Sequence, residues 1–192
     1  MTGIVGGTFD PPHNGHVALA RAALEALPVD RLVVLVVANP GHRKVVADAE
    51  TRLRLAREAL AGLPADIVLD DNAFTVDAVR DGRFGDAVFI VGADEGAAFP
   101  TWKEPDEILR WVRLGVGTRS GYPPPDLRRY GDRVLSFELD SPDVSADEVR
   151  ARIQKGESIA ELVPEAVASA IQELGLYRGY TDFGAEKDLR SH

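Results

Sequence analysis

The chain has 192 residues, enough for one domain of ordinary size that buries a core without covalent staples. It contains no cysteine, which excludes disulfides, thiolate metal sites and cysteine nucleophiles and suits a cytoplasmic protein. A formal net charge of -9 opposes a general affinity for nucleic acid or anionic membranes, although a local cluster of donors would still hold a small anion. No apolar run approaches the roughly 18 residues that span a bilayer, and the N-terminus does not read as a signal peptide.

Strand and helix patterns alternate along the chain. Thr2 to Val5 reads as a short apolar strand ending at Gly6-Gly7, and a helix is expected from near Asn14, where Val17, Ala20, Leu24 and Leu27 take helical spacing. Arg31 to Ala38 is a β-branched run suited to a central strand. Ala49, Leu53, Ala56 and Leu60 mark a second helix, Asp66 to Leu69 a third strand, and Thr75 to Arg80 a helical turn or two. Asp86 to Val91 is another buried-strand run; Gly92 to Trp111 reads as loop and short helices. Arg113 to Thr118 is a weaker strand, Gly121 to Pro125 a loop, and Arg133 to Leu139 alternates as a last strand would. Ser145 to Glu148 has a capping-box pattern, and Pro164 and Gly175 bracket a final helix. Together these predict one α/β domain over residues 1–180: a Rossmann-like, doubly wound parallel sheet with helices on both faces and a C-terminal helical segment. Residues 181–192 form a polar tail.

The informative segment is Gly6-Gly7-Thr8-Phe9-Asp10-Pro11-Pro12-His13-Asn14-Gly15-His16, which follows the first strand and opens a helix. Ligands bind at the carboxyl ends of strands in open parallel sheets, and amides at a helix start favour phosphate. Glycines admit a phosphate close to the backbone, and two imidazoles three residues apart can donate to an anion and, if protonated, add charge. The spacing of Gly3, Gly6 and Gly7 does not fit the dinucleotide fingerprint, and no Gly-Lys-Ser/Thr follows as in a phosphate-binding P-loop. Two histidines without a third ligand make a poor zinc site. The plain alternative is a turn, a helix cap and two surface histidines.

The run GGTFDPPHNGH resembles the signature of bacterial nicotinate mononucleotide adenylyltransferases, and His13-Asn14-Gly15-His16 matches the His/Thr-x-Gly-His motif of the nucleotidyltransferase superfamily. The resemblance extends along most of the chain. Pro40 to Lys44 resembles the family's Pro-x-His-Lys loop, Phe74-Thr75-Val76-Asp77 its Tyr-Thr-Val-Asp, and Gly92-Ala93-Asp94 its Gly-Ala-Asp. Trp102 resembles the tryptophan that stacks on the pyridine ring, and Arg119 stands at the family's arginine after the fifth strand. Ser145 to Arg150 resembles Ser-Ser/Thr-x-x-Arg, and Leu162 to Tyr177 the C-terminal helix. Two segments depart from the pattern. Ala146 and Asp147 stand where a second hydroxyl is usual, and Asp71-Asn72-Ala73-Phe74 replaces Gly-Pro-Ser-Tyr. A carboxylate at Asp147 would repel ATP phosphates unless magnesium intervenes or it points away.

The resemblance implies an enzyme that joins nicotinate mononucleotide to the AMP part of ATP and releases pyrophosphate. It gives His16 to the α-phosphate and transition state, with His13, Lys44 and Arg150 neutralising pyrophosphate and Mg²⁺ bridging phosphates. Gly7, Thr8, Phe9, Gly92, Asp94 and Ser145 join the histidines and Arg150 on the ATP side; Lys44, Thr75, Trp102 and Arg119 take the mononucleotide. Other readings stand beside these. Arg43 and Lys44 could be solvated charges, Arg119 a surface arginine, Arg150 a helix salt-bridge partner, and Trp102 and Trp111 core. Asp94 could cap a helix or hold a sugar, and Asp10 could only shape the turn. The expected acceptor is nicotinate mononucleotide; nicotinamide mononucleotide and a non-catalytic nucleotide-binding protein are the rivals, with Asp71 or Asn72 placed to favour the amide.

Overall fold

A computed structural model describes residues 1–41, 44–119 and 121–179. Six strands form one parallel sheet in the order β3-β2-β1-β4-β5-β6: β1 Thr2–Gly7, β2 Arg31–Val37, β3 Ala65–Asp70, β4 Ala87–Gly92, β5 Arg113–Thr118 and β6 Val134–Glu138. The helices are α1 Asn14–Ala26, α2 Ala49–Ala59, α3 Thr75–Val79, α4 Ala93–Ala98, α5 Pro105–Trp111, α6 Ala146–Lys155 and α7 Glu165–Leu174. Two 3-10 turns, Phe99–Thr101 and Arg128–Arg133, complete the described elements, the second a turn that the sequence pattern did not single out.

Strand side chains alternate between two cores, which is why helices cover both faces. Val5, Val34, Val36, Val88 and Ile90 pack on one side with Ala20 and Ala23 of α1, Leu53 and Ala56 of α2, and Val167 and Ile171 of α7. Their neighbours Ile4, Leu35, Phe89 and Val91 pack on the other side with Val76 of α3 and Ile108 of α5. The central strands β1, β2 and β4 are therefore apolar on both faces, and the runs of β-branched residues in β2 and β4 follow from that.

Helix ends agree with local chemistry. Asp48 caps α2 by accepting from Thr51 N–H, and Ser145 caps α6 by accepting from Glu148 N–H. The Glu148 carboxylate turns instead to Arg152 at 3.0 Å. Gly156 and Gly175 end α6 and α7 in the left-handed conformation that glycine adopts without penalty. The expected polar tail, residues 181–192, lies outside the described residues.

The topology fixes where a ligand can sit. From β1 the chain winds outward through β2 to β3, then returns to β4 and winds the other way through β5 to β6. The crevice beyond the carboxyl ends of β1 and β4 is the switch point of the sheet.

Candidate active site

A cavity of about 890 Å³ opens at that switch point. Its wall is built from the turn after β1 (Gly6 to Asp10, His13, His16), the segment after β3 (Asn72 to Thr75), the turn after β4 (Gly92 to Glu95), and Trp102. Arg119 after β5 and the residues from Ser141 to Asp147 close the far side.

The histidine turn is tightly held. His13 is the N-cap residue of α1, and its backbone N–H donates to Nδ1 of His16 at 3.2 Å. An accepting Nδ1 carries no proton, so neutral His16 keeps its hydrogen on Nε2 as a donor. The two imidazoles lie 3.8 Å apart between centroids, and the Phe9 ring lies 4.8 Å from that of His16. Phe9 has a φ of 52°, a left-handed conformation costly for an aromatic residue, yet its ring is 1 % exposed. Ring packing holds the turn in this shape.

The glycines of the segment make room mainly for side chains. A Cβ on Gly7 would meet the Phe9 ring at 3.2 Å, and one on Gly15 would meet His13 Nδ1 at 3.0 Å. Gly7 therefore has a packing reason to lack a side chain as well as its place on the cavity wall. Gly92 is the contrary case: a Cβ there would meet nothing within 4 Å, so the backbone after β4 faces open cavity.

Burial lowers the pKa of His13 to about 4 and that of His16 well below the ordinary imidazole value, with His13 a second cause for His16. Both are therefore neutral near pH 7. Of the two contributions expected of the pair, donation to an anion stands without the added charge of protonation.

Of the residues singled out from sequence, Gly7, Thr8, Phe9, His13, His16, Thr75, Gly92, Asp94, Trp102, Arg119 and Ser145 all line the cavity. Lys44 does not: it is exposed and outside the wall, and its loop neighbours His42 and Arg43 lie outside the described residues. Arg150 is set behind the wall, where Nη1 donates to the Asp10 carbonyl at 2.6 Å and Nη2 pairs with the Asp147 carboxylate. Asp147 lines the cavity but turns its charge onto Arg150.

Asp94 does not cap α4: Gly92 holds the N-cap position, and Asp94 sits exposed in the first turn. Trp102 is half-buried, edge-on to Phe89 at 5.9 Å and beside Phe99 at 5.3 Å, so part of the ring is wall and part is anchor. Trp111 is neither core nor site; it is 40 % exposed and donates its indole N–H to Glu107 at 2.9 Å. Arg119 forms an exposed pair with Asp143 at 3.3 Å. Of the Asp71-Asn72 pair only Asn72 reaches the wall, together with Asp70; Asp71 is exposed.

Asp10 does more than shape its turn. The carboxylate is buried and accepts from the backbone amides of Val46 and Ala47 and from Tyr177 Oη at 2.9 Å. Burial and the Asp10 carboxylate push the Tyr177 hydroxyl pKa upward, so it remains a donor. Nearby, fully buried Arg52 donates Nε to Ala47 O at 3.0 Å, Nη1 to Thr8 O and Val37 O at 2.8 Å, and Nη2 to Ala38 O at 2.9 Å. One guanidinium thus ties the histidine turn to the end of β2 and the loop beyond it. Sequence reading passed over Arg52, although it stands three residues after Ala49 and one before Leu53, on the apolar face of α2.

Fold and site together define the class: an α/β protein that binds nucleotides at the switch point of a doubly wound sheet. Residues 4–152 match the cytidylyltransferase-like family, and the chain belongs to that family and, within it, to the nicotinate-nucleotide adenylyltransferases. A Dehalococcoides mccartyi protein named "Probable nicotinate-nucleotide adenylyltransferase" is 34 % identical over 92 % of this chain and 96 % of its own. One of the same name from Rubrobacter xylanophilus is 37 % identical over 92 % and 91 %, and one from Thermus thermophilus 36 % over 92 % and 98 %. The solved structure of Plasmodium falciparum nicotinic acid mononucleotide adenylyltransferase complexed with NaAD superposes with a TM-score of 0.75. It covers 92 % of this chain and 96 % of that one at 14 % identity, which makes it a likeness of fold.

Proposed function

We propose that the protein catalyses adenylyl transfer from ATP to nicotinate mononucleotide, giving nicotinate adenine dinucleotide and pyrophosphate, a step of NAD biosynthesis. The carrying observation is the neutral His13–His16 pair on the cavity wall, with Trp102 on the same wall. A phosphate oxygen of the mononucleotide attacks the α-phosphorus of ATP; the bond from that phosphorus to the bridging oxygen breaks, and pyrophosphate leaves in line. Such chemistry needs position and charge stabilisation more than a protein nucleophile.

Within this reading His16 donates from Nε2–H to the α-phosphate, where negative charge develops. His13 and Arg150 serve the leaving pyrophosphate, Arg150 by exchanging Asp147 for phosphate oxygens. Gly7, Thr8, Phe9, Gly92, Asp94 and Ser145 hold ATP. Thr75, Trp102 and Arg119 hold the mononucleotide, Trp102 by stacking on the pyridine. Lys44 joins only if its loop turns inward.

Mg²⁺ enters with ATP as part of the substrate. Among the described residues no three His, Asp or Glu side chains are grouped to hold a metal ion. Asp10 is engaged by two amides and Tyr177, and Asp147 by Arg150. Phosphate oxygens and waters then supply the coordination that magnesium prefers. A cytoplasmic location, where ATP is supplied, goes with this reading.

The test is pyrophosphate release from ATP with nicotinate mononucleotide, the dinucleotide being identified by mass. Equal amounts of both products are expected. Release without dinucleotide, or none with any pyridine mononucleotide, overturns the assignment.

A further inference from the structure

At the end of β3 the cavity wall carries a polar pair that adenylyl transfer does not use. Nδ2 of Asn72 donates to Oδ1 of Asp70 at 2.7 Å. Asp70 is 5 % exposed, and the same carboxylate oxygen faces Nη2 of Arg83 at 3.5 Å. An ionised carboxylate only accepts, so the Asn72 carboxamide has one favourable orientation: its NH₂ group lies on Asp70, and its Oδ1 is turned away from that residue. Asn72 and Asp70 line the same cavity as Trp102 and Thr75, the residues given above to the mononucleotide.

We infer that Asn72, oriented by Asp70, presents a hydrogen-bond acceptor to the 3-substituent of the pyridine ring, and that the site therefore takes nicotinamide mononucleotide as well as nicotinate mononucleotide. The inference rests on the proposed adenylyl-transfer function of this cavity. The nicotinate carboxylate has no hydrogen to give to Asn72 Oδ1 and brings a negative charge towards Asp70. The carboxamide has an NH₂ that pairs with Oδ1, and it is neutral. Arg83 offsets part of the Asp70 charge, but its own side chain is 44 % exposed and its field is weakened by solvent. A pairing made for one substituent and left unmade for the other changes specificity by about 10- to 100-fold. Asn72 then narrows the advantage of the acid without abolishing its use.

The experiment measures kcat/KM for both mononucleotides with saturating ATP, by pyrophosphate release, in the full-length protein and in Asn72→Ala. The wild type is expected to use both acceptors, with constants within about 100-fold of each other. In Asn72→Ala the ratio of acid to amide should rise by about tenfold or more. Calorimetric binding of each mononucleotide to the same two proteins gives a second readout that does not depend on turnover, and the amide should lose affinity selectively. Turnover of the acid alone by the wild type overturns this inference and leaves the proposed function standing. An unchanged ratio in the variant, both acceptors falling together, also overturns it. Pyrophosphate release with neither acceptor removes the proposed function, and the inference with it.

Discussion

Arg52 gives the sharpest test of how the site is held together. Its side chain is the largest fully buried one among the described residues, and its four hydrogen bonds end on carbonyls of Thr8, Val37, Ala38 and Ala47. Burial lowers its pKa, and the nearby Asp10 carboxylate is the first of the charges that oppose this and favour the protonated form. Arg52→Ala removes the donors, opens a cavity and strips Asp10 of that cation. Each carbonyl left dry would cost about 1–3 kcal/mol, but water entering the vacated space limits the total. With the packing of a large buried side chain lost as well, a cost of about 2–5 kcal/mol is expected here. It is a large share of the roughly 5–15 kcal/mol that stabilises a typical domain. Urea unfolding of the wild type, Arg52→Ala and Arg52→Lys measures it, with m unchanged and the midpoint lowered. Lysine keeps the charge but not the planar fork, so it should fall between the other two. Turnover should drop in both variants at temperatures where they are folded, because Thr8 O anchors the histidine turn. A loss below about 1 kcal/mol with normal turnover would refute the clamp.

His16→Ala should lower kcat by about 100- to 1000-fold, as loss of one transition-state donor does, with little change in Tm; normal turnover in the folded variant removes His16 from the chemistry. Trp102→Ala should raise KM for the mononucleotide more than KM for ATP, and equal rises together with lost stability would make Trp102 an anchor of the core only. The depressed pKa of His13, about 4 against 6.5, means that the unfolded chain takes up a proton that the folded one refuses between those values. Stability should therefore fall as pH drops from 6.5 towards 4, by at most about 3 kcal/mol from this residue, and His13→Gln should flatten that part of a Tm-against-pH curve; an identical slope would contradict the burial.

Much of this architecture was legible because its signals are local. The strand runs of β2 and β4 are rich in β-branched and other apolar residues, and even the weaker expectation for Arg113 to Thr118 coincides with β5. The histidine turn was legible for the same reason, since its glycines, prolines and imidazoles are contiguous. What escaped depends on contacts far apart in the chain. Tyr177 reaches Asp10 across 167 positions, and Arg150 reaches it across 140. No periodicity encodes such pairings. Arg52 had a visible signal, a cation within an otherwise apolar helical stripe, and that pattern says buried but not to what it bonds. The protonation of the histidines could not be read either, because the distance between the rings and their burial set it.

The same distinction explains why Asp147 can stand where phosphates are expected. Seen as one letter, a carboxylate beside a triphosphate is a repulsion. In the helix it falls three residues before Arg150, on the same face, and the two side chains neutralise each other. Asp147 is 78 % exposed, and exposed pairs contribute about 0–1 kcal/mol. A phosphate accepting from the guanidinium forms a stronger, charge-assisted contact. Exchange then requires only rotation of the Asp147 side chain into water, while the bond from Arg150 to the Asp10 carbonyl keeps the guanidinium aimed. On the proposed function the pair is a resting position for the arginine, and the carbonyl of a buried aspartate in the histidine turn links that position to the turn itself.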